Sequence, residues 1–312
     1  MIFKYIEFQT PNISIVREGK IKDPDSNEVL ISVHHAGVNR ADLLQRMGVY
    51  PPPVDASPIP GLEVAGVITS VGSNIKDWQC GDRVCALTQG GGYASMVLAR
   101  GDHCLALPDS LSTKEGAALP EAILTIWYNI FERAHLKPGE TVLIHGGSSG
   151  IGSIGIQMAN FWNATVVSSA GSPERCQAVK GLGADYVANH RQGDLYAQYE
   201  EAGYAGKIDV ILDIAGGDLT QTNLDLAALD GRIACIGIMR GAKANINLAT
   251  VFTKRLTLTG STLRKLSSNQ RAACFAEIKA KIWPQVISKN ITPIVDTIFP
   301  MKNVMAAHEH MH

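Results

Sequence analysis

A chain of 312 residues, 46% hydrophobic and 18% charged, carries enough apolar surface for two globular domains or one large one. A net charge of −1 gives a nucleic-acid or membrane-surface role no electrostatic support. No apolar run reaches bilayer length, and the opening MIFKYIEFQT alternates like a strand instead of following the plan of a secretory leader. Six scattered cysteines without a C-x-x-C pair suit a reducing compartment, so a cytoplasmic location is expected.

From residue 1 to about 108, short apolar runs are broken by Gly, Pro and Asp, which predicts a β-rich region. Strands are expected at 2–8, 14–18, 29–38, 64–71, 83–87 and 93–99, with one short helix at 40–47. Pro51, Pro52 and Pro53 then fix an extended loop. From residue 113 the period becomes helical. A helix over 113–133 is expected, capped by Ser112 or Thr113, with Glu115 in its first turn and a division at Pro120. Strands at 141–145, 165–169, 186–189, 208–213, 232–236 and 256–261 then alternate with helices, among them 173–181, 194–202 and 219–229. This alternation predicts a doubly wound parallel sheet. Residues 269–312 hold helical stretches around an expected strand at 294–299 and are read as returning to the first domain, which is therefore discontinuous.

The chemistry centres on KPGETVLIHGGSSGIGSIGIQMANF, residues 137–161. A turn leads into a short apolar strand, a glycine bend at 146–152, and a helix with apolar residues at Ile151, Ile154, Met158 and Phe161. Strand, bend and helix in this order make a phosphate cradle: glycines admit the pyrophosphate and the helix N-terminus points free N–H groups at it. Against G-x-G-x-x-G, the string GSSGIG keeps Gly147 and Gly152 and places Ser149 at the second glycine. A lone glycine bend is also an ordinary tight loop, but here strand and helix stand on the required sides. Gly147, Ser148, Gly150, Ile151 and Gly152 are the expected cradle.

A site preferring NAD carries an acid about 20 residues past the glycines, on the ribose 2′-OH. Here the second strand runs into SSAGSPER with no acid at its tip. Ser172 and Arg175 offer a hydroxyl and a guanidinium to a 2′-phosphate, which favours NADPH. The alternative is that Ser172 caps a helix and Arg175 is solvated, and the neighbouring Glu174 speaks for it. His308 and His312 formally fit H-E-x-x-H, but at the chain end, where helices fray, so no metalloprotease site is expected. His34 and His35 are strand neighbours facing opposite ways. Cys80, Cys85 and Cys104 lack the spacing of a structural zinc lobe, and Cys176, Cys235 and Cys274 read as core fillers.

The strings AGVNRADLLQRMGVYPPP, PGLEVAG, GDRV, GGYA and HGGSSGIG together resemble the zeta-crystallin-like quinone oxidoreductases, a zinc-free branch of the medium-chain dehydrogenase/reductase superfamily. LPEAILTIWYNIF and LTGSTLR resemble the tumour-suppressor-inducible group within it. The resemblance covers nearly the whole chain. It implies an α/β fold with a Rossmann NADPH-binding domain (119–263) inserted into a discontinuous GroES-like β-rich substrate domain (1–118 and 264–312), NADPH in the cleft, and a homodimer. By resemblance Asn39 and Tyr50 sit near the nicotinamide, with Gln45 and Asp42 as second choices. Tyr50 offers a flat face and a hydroxyl donor; Asn39 can donate to a carbonyl oxygen or hold the carboxamide of the cofactor. Further cofactor contacts carry over to Thr125, Gly216, Gly237, Ile238, Ser261, Thr262 and Leu263, with His190 where the family has a stacking aromatic.

Alcohol-dehydrogenase relatives place zinc-binding Cys and His where this chain has Asn39 and Leu62, so no metal is expected. Relatives also continue past the segment AAHEHMH with a G-K-x-V-type strand, which would lie beyond His312. The implied activity is NADPH-dependent reduction of quinones, ortho-quinones favoured. The alternatives are reduction of α,β-unsaturated ketones or aldehydes, and a non-catalytic NADPH-binding redox sensor.

Overall fold

The computed structural model describes residues 1–311, so the pairing of His308 with His312 lies outside the described residues. The chain forms two compact units: Met1–Glu121 together with the chain from Leu266 onward, and Ala122–Lys265.

The first unit opens with an antiparallel pair, β1 (Ile2–Thr10) and β2 (Ile13–Lys20). A second antiparallel sheet contains β3 (Glu28–Ala36), β4 (Glu63–Val71), β5 (Arg83–Leu87), β6 (Met96–Arg100) and β7 (Cys104–Ala106) in the order β6-β3-β4-β5-β7. Alternation along these strands puts Val29, Ile31, Val64, Ile68, Val84, Ala86 and Val97 in one core. Helix α1 (Arg40–Arg46) stands between β3 and β4 in the chain.

The helix expected over 113–133 is three pieces. In α2 (Thr113–Gly116) the Ser112 side chain takes the Glu115 amide while the Glu115 carboxylate takes the Ser112 amide, a reciprocal cap. Pro120 begins α3 (Pro120–Ile126), a position where no N–H is required. From Trp127 to Arg133 the chain winds as a wider π-helical turn, for which the sequence carries no periodic signature.

The second unit is a six-stranded parallel sheet. Its strands are β8 (Thr141–Ile144), β9 (Thr165–Ala170), β10 (Tyr186–Asn189), β11 (Ile208–Asp213), β12 (Ala227–Cys235) and β13 (Thr257–Gly260), in the order β10-β9-β8-β11-β12-β13. Helices α4 (Gly150–Phe161), α5 (Pro173–Gly181), α6 (Leu195–Glu201), α7 (Leu219–Leu226) and α8 (Leu248–Lys254) connect them. Val142, Leu143, Ile144, Val166, Val167, Val210, Ile211 and Leu212 are all buried, as strands covered on both faces require. In α4, Ile154 and Met158 are buried as expected, whereas Phe161 is exposed. The strand order reverses beside β8, which is where such sheets bind ligands.

The chain then returns to the first unit as α9 (Ser268–Lys281), α10 (Trp283–Ile287) and α11 (Val304–His310). The strand expected at 294–299 is absent: Pro293 lacks an amide proton, no strand pairs with the segment, and Ile294 and Ile298 are exposed. Cys274 is buried, as expected of a core filler, but Cys176 and Cys235 are only half-buried.

On α11, His308 is wholly buried. Its Nε2 lies 3.1 Å from the Tyr93 hydroxyl and its Nδ1 has no partner. Burial, with the nearby Arg46 charge, pushes its pKa from 6.5 down to about 4. The neutral ring therefore stabilises the fold fully above pH 6.5, and that contribution is lost as pH falls toward 4. For one proton the slope is at most ~1.4 kcal/mol per pH unit. A His308→Gln protein should show a flatter dependence of urea-unfolding free energy on pH across this window; identical slopes would refute the assignment.

Candidate functional site

In the second unit, β8 runs through His145 into the glycine bend, and α4 starts at Gly150 with Ser149 as its cap. The Ser149 hydroxyl accepts the Gly152 amide at 3.0 Å. The Gly147 amide donates to the Ser169 carbonyl at 2.9 Å and the Ser149 amide to the Gly146 carbonyl at 2.9 Å. The amides of Ser148, Gly150 and Ile151 find no partner among the described residues. Gly150 and Ile151 are unsatisfied donors of a helix N-terminus, with the partial positive charge that accompanies them, and Ser148 adds one from the bend.

The glycines divide by role. A Cβ on Gly152 would lie 2.3 Å from the Gly146 carbonyl oxygen, and one on Gly147 would lie 2.2 Å from Ser168 Oγ. These two let the helix and β9 close on the bend. A Cβ on Gly150 would meet nothing within 4 Å, so this side of the helix start is open to a ligand. Ser149, at the fingerprint's second glycine, supplies the cap.

Beneath the bend, buried His145 has Nδ1 3.1 Å from Ser169 Oγ and Nε2 2.8 Å from Asn223 Oδ1. Burial lowers its pKa against the pull of Asn223 and Asp213, so it is neutral and structural. Asp213, at the end of β11, accepts the amides of Ala215 at 2.7 Å and Gly216 at 2.9 Å, which folds the following loop back. Gly216 bridges to Gly241, and a Cβ on Gly237 would lie 2.4 Å from the Ile214 carbonyl. Gly216, Gly237 and the exposed Ile238 are thus brought together at the C-terminal ends of β11 and β12.

Thr125 on α3 is buried, and its carbonyl accepts Asn129 Nδ2 at 2.9 Å; Asn129 Oδ1 accepts the Ser261 hydroxyl at 2.7 Å. Asn129 therefore joins two expected site residues, although only its place in the WYN string hinted at it. Thr262 and Leu263 follow Ser261, Thr262 being exposed.

At the tips of β9 and β10, Ser172 caps α5, accepting the Arg175 amide at 3.3 Å, and its side chain bonds the Glu174 carboxylate. Arg175 is exposed. His190 lies against Gly171, where a Cβ would be 3.1 Å from its Nε2 and 3.5 Å from Arg191 Nε. Burial and the charges of Arg191, Arg240 and Arg175 lower the His190 pKa. Arg191 and Arg240 escaped the sequence reading; the signal was the HR pair at the tip of β10.

In the first unit, Asn39 caps α1. Its Nδ2 donates to Glu63 Oε1 at 2.8 Å and its amide to Asp42 Oδ2 at 2.9 Å. Glu63 is buried, and its Oε2 accepts the Glu121 amide at 2.9 Å. Burial raises the Glu63 pKa to about 7, against those two hydrogen bonds and with help from Asp42. Asp42 is also buried and accepts the Gly61 amide at 3.0 Å. Gln45 is tied to the Pro58 carbonyl at 3.1 Å. Tyr50 is half-buried, its amide bonded to Leu44 O at 3.2 Å, and burial lowers the pKa of the nearby buried Arg271 guanidinium on α9 against the pull of the Glu121 and Asp55 carboxylates. Glu63 and Arg271 were not singled out from sequence, because burial of a charged side chain leaves no pattern. Among the described residues no three His, Cys, Asp or Glu side chains gather as a metal site. No helix is long and apolar enough to cross a membrane.

Comparison with known proteins gives two family matches: the alcohol dehydrogenase GroES-like domain over residues 25–109, and the zinc-binding dehydrogenase family over residues 150–279. The chain is 31% identical to a quinone oxidoreductase of Sus scrofa over 287 residues, covering 92% of this chain and 85% of the relative. It is similar to an Escherichia coli quinone oxidoreductase solved in complex with NADPH, at 27% identity and TM-score 0.84, covering 100% of this chain and 96% of that one. The CurK enoyl reductase is similar at 25% identity and TM-score 0.86, with 99% of this chain and 95% of that one covered.

The glycine geometry can be tested by calorimetry. Gly152→Ala sets a methyl against backbone and should lose about 2 kcal/mol or more, whereas Gly150→Ala should stay within about 1 kcal/mol of the wild type. A Gly152→Ala protein with unchanged Tm would show that α4 is not seated on the bend.

Proposed function

We propose that this chain, which belongs to the zinc-free quinone oxidoreductases of the medium-chain dehydrogenase/reductase superfamily, reduces quinones with NADPH and favours ortho-quinones. The observation that carries the reading is the bend: three unpartnered amides face an open side of the α4 N-terminus, in a chain similar throughout to a protein solved with NADPH.

The residues present fit the cofactor. Ser148, Gly150 and Ile151 would hold the diphosphate through their amides. Arg175 and Arg191, beside His190, would hold the 2′-phosphate, while Ser172 serves as the helix cap. Gly216, Gly237 and Ile238, with Thr125, Ser261, Thr262 and Leu263, would line the ribose and nicotinamide. Asn39 and Tyr50 of the first unit would face the redox ring. Bound NADPH supplies the hydride; what the chain adds is placement. A quinone accepts hydride readily, so it needs orientation and a flat apolar slot more than a strong acid, and solvent can protonate the reduced oxygen. Tyr50 would supply the flat face and Asn39 an amide to the carbonyl.

The likeness to an enoyl reductase supports a second reading, reduction of α,β-unsaturated carbonyls. NADPH oxidation with ortho-quinones, para-quinones and enones, with oxygen uptake in parallel, separates these. Turnover confined to enones would sink the quinone reading, and tight NADPH binding without any turnover would leave a redox sensor.

Two further outcomes are expected. Arg175→Ala and Arg191→Ala should each lower kcat/KM for NADPH about tenfold, roughly the worth of one charge-assisted hydrogen bond, and leave NADH unchanged; equal losses with both cofactors would remove the 2′-phosphate assignment. The reading extends to a homodimer, supported by exposed Leu248 and Phe252 on α8 and exposed Leu258 on the edge strand β13. Sedimentation velocity should find a dimer that Phe252→Asp weakens, and a monomeric wild type would end that extension.

A further inference from the structure

Two donors, the Asn39 side-chain amide and the Glu121 backbone amide, converge on one buried carboxyl, at 2.8 and 2.9 Å from its two oxygens. The space is closed: a Cβ on Gly37 would lie 2.2 Å from Glu63 Oε1. Among the described residues no cation is bonded to the carboxyl; its partners are the two amides. We infer that Glu63 is a positioning residue whose carboxyl decides which end of the Asn39 amide is turned toward the ligand. The inference rests on the reading that Asn39 faces the reacting ring.

The argument is a count of donors and acceptors. An ionised Glu63 offers an acceptor to each amide, so Asn39 keeps Nδ2 inward and turns its carbonyl end outward. A protonated Glu63 carries a hydroxyl, and a hydroxyl facing Nδ2 is donor against donor. The backbone amide of Glu121 cannot turn, but the side chain of Asn39 can. Rotating it by half a turn lets Oδ1 accept the Glu63 proton and leaves Nδ2 facing outward, where it can donate to a quinone carbonyl. The balance lies near neutral pH because burial and the Asp42 charge favour the neutral acid while the two amides favour the carboxylate.

The elements packed against Glu63 also carry Asp42, Arg40 and Arg46 on α1, Glu28, His34 and His35 on β3, Arg83 and Cys85 on β5, Tyr93 before β6, Lys114 and Glu115 on α2, and Glu121 on α3. Burial raises Cys85 and Tyr93 and keeps them neutral, burial lowers His35, and Glu115 is bonded to Ser112. Asp42 is left as the charge acting directly on Glu63.

Glu63→Gln separates this role from simple support. The glutamine oxygen must take the Glu121 amide, so its NH₂ faces Asn39 and locks the amide with Nδ2 outward at every pH. In the wild-type chain the Asn39 side-chain ¹⁵N–¹H resonances, followed without cofactor, should move with a midpoint near 7, and Glu63→Gln should abolish that transition. The kcat/KM for a quinone should fall about tenfold per pH unit above this midpoint in the wild type. In the variant it should be flat, exceeding the wild type about a hundredfold near pH ~9. A wild-type Asn39 amide that does not titrate overturns the inference, and needs no variant to fold. So does a Glu63→Gln protein that keeps the wild-type pH profile while Asn39→Ala lowers turnover. If Asn39→Ala leaves turnover intact, the placement of Asn39 at the reacting ring fails instead.

Discussion

Helix α4 begins so close to the preceding bend that no side chain fits at Gly152, where a Cβ would lie 2.3 Å from the Gly146 carbonyl oxygen. That contact sets where the helix axis points, and the axis sets where its unpartnered amides point. Parallel strands put all their C-terminal ends on one edge, so the loops after β8, β9, β10, β11 and β12 gather around the same place. Asp213 applies the same constraint on the other side of the switch point, folding its loop through two backbone amides. The ligand-facing edge is thus built mostly from backbone, which is why small residues dominate it.

The two units solve opposite electrostatic problems. The edge of the parallel sheet presents donors: helix-start amides at the bend, and the guanidiniums of Arg175, Arg191 and Arg240 around His190. Such an edge matches phosphates in sign. The first unit buries two carboxyls, Asp42 and Glu63, beside the residue that caps α1. Two amides bond Glu63, and Asp42 accepts the amides of Asn39 and Gly61, so hydrogen bonds to amides hold much of this centre in place. Such a centre can present an amide or a hydroxyl to a neutral carbonyl without offering it a strong acid.

Much of this was legible in the residues. The order of strand, glycine bend and helix identified β8 and α4, and the run of strand and helix from residue 165 onward gave the parallel sheet, because a strand buried on both faces must be nearly all apolar. Pro120 did divide its helix, at the place where a missing amide proton does no harm. The π-helical turn at Trp127–Arg133 was hidden, since one extra residue per turn barely changes an apolar pattern. The expected strand at 294–299 failed for the converse reason: alternation signals a strand only where a neighbouring strand pairs with it. Glu63 and Arg271 were invisible because a charged residue reads as surface until the fold closes over it.

Glu63 also shows why the site's chemistry is harder to read than its fold. Its neighbour Leu62 is buried and apolar, and Asn39 can offer either a donor or an acceptor. Where alcohol-dehydrogenase relatives fix the polarity of the corresponding positions with a cysteine and a histidine, this chain has an amide whose direction is not set by its own identity. The direction comes from the partner, and the partner's state comes from a contest between burial, Asp42 and two hydrogen bonds. Substituting any one of these groups shifts the contest without touching the ligand. A sequence can therefore name an amide while leaving open which of its ends is turned outward, and the answer lies in the count of donors around one buried carboxyl.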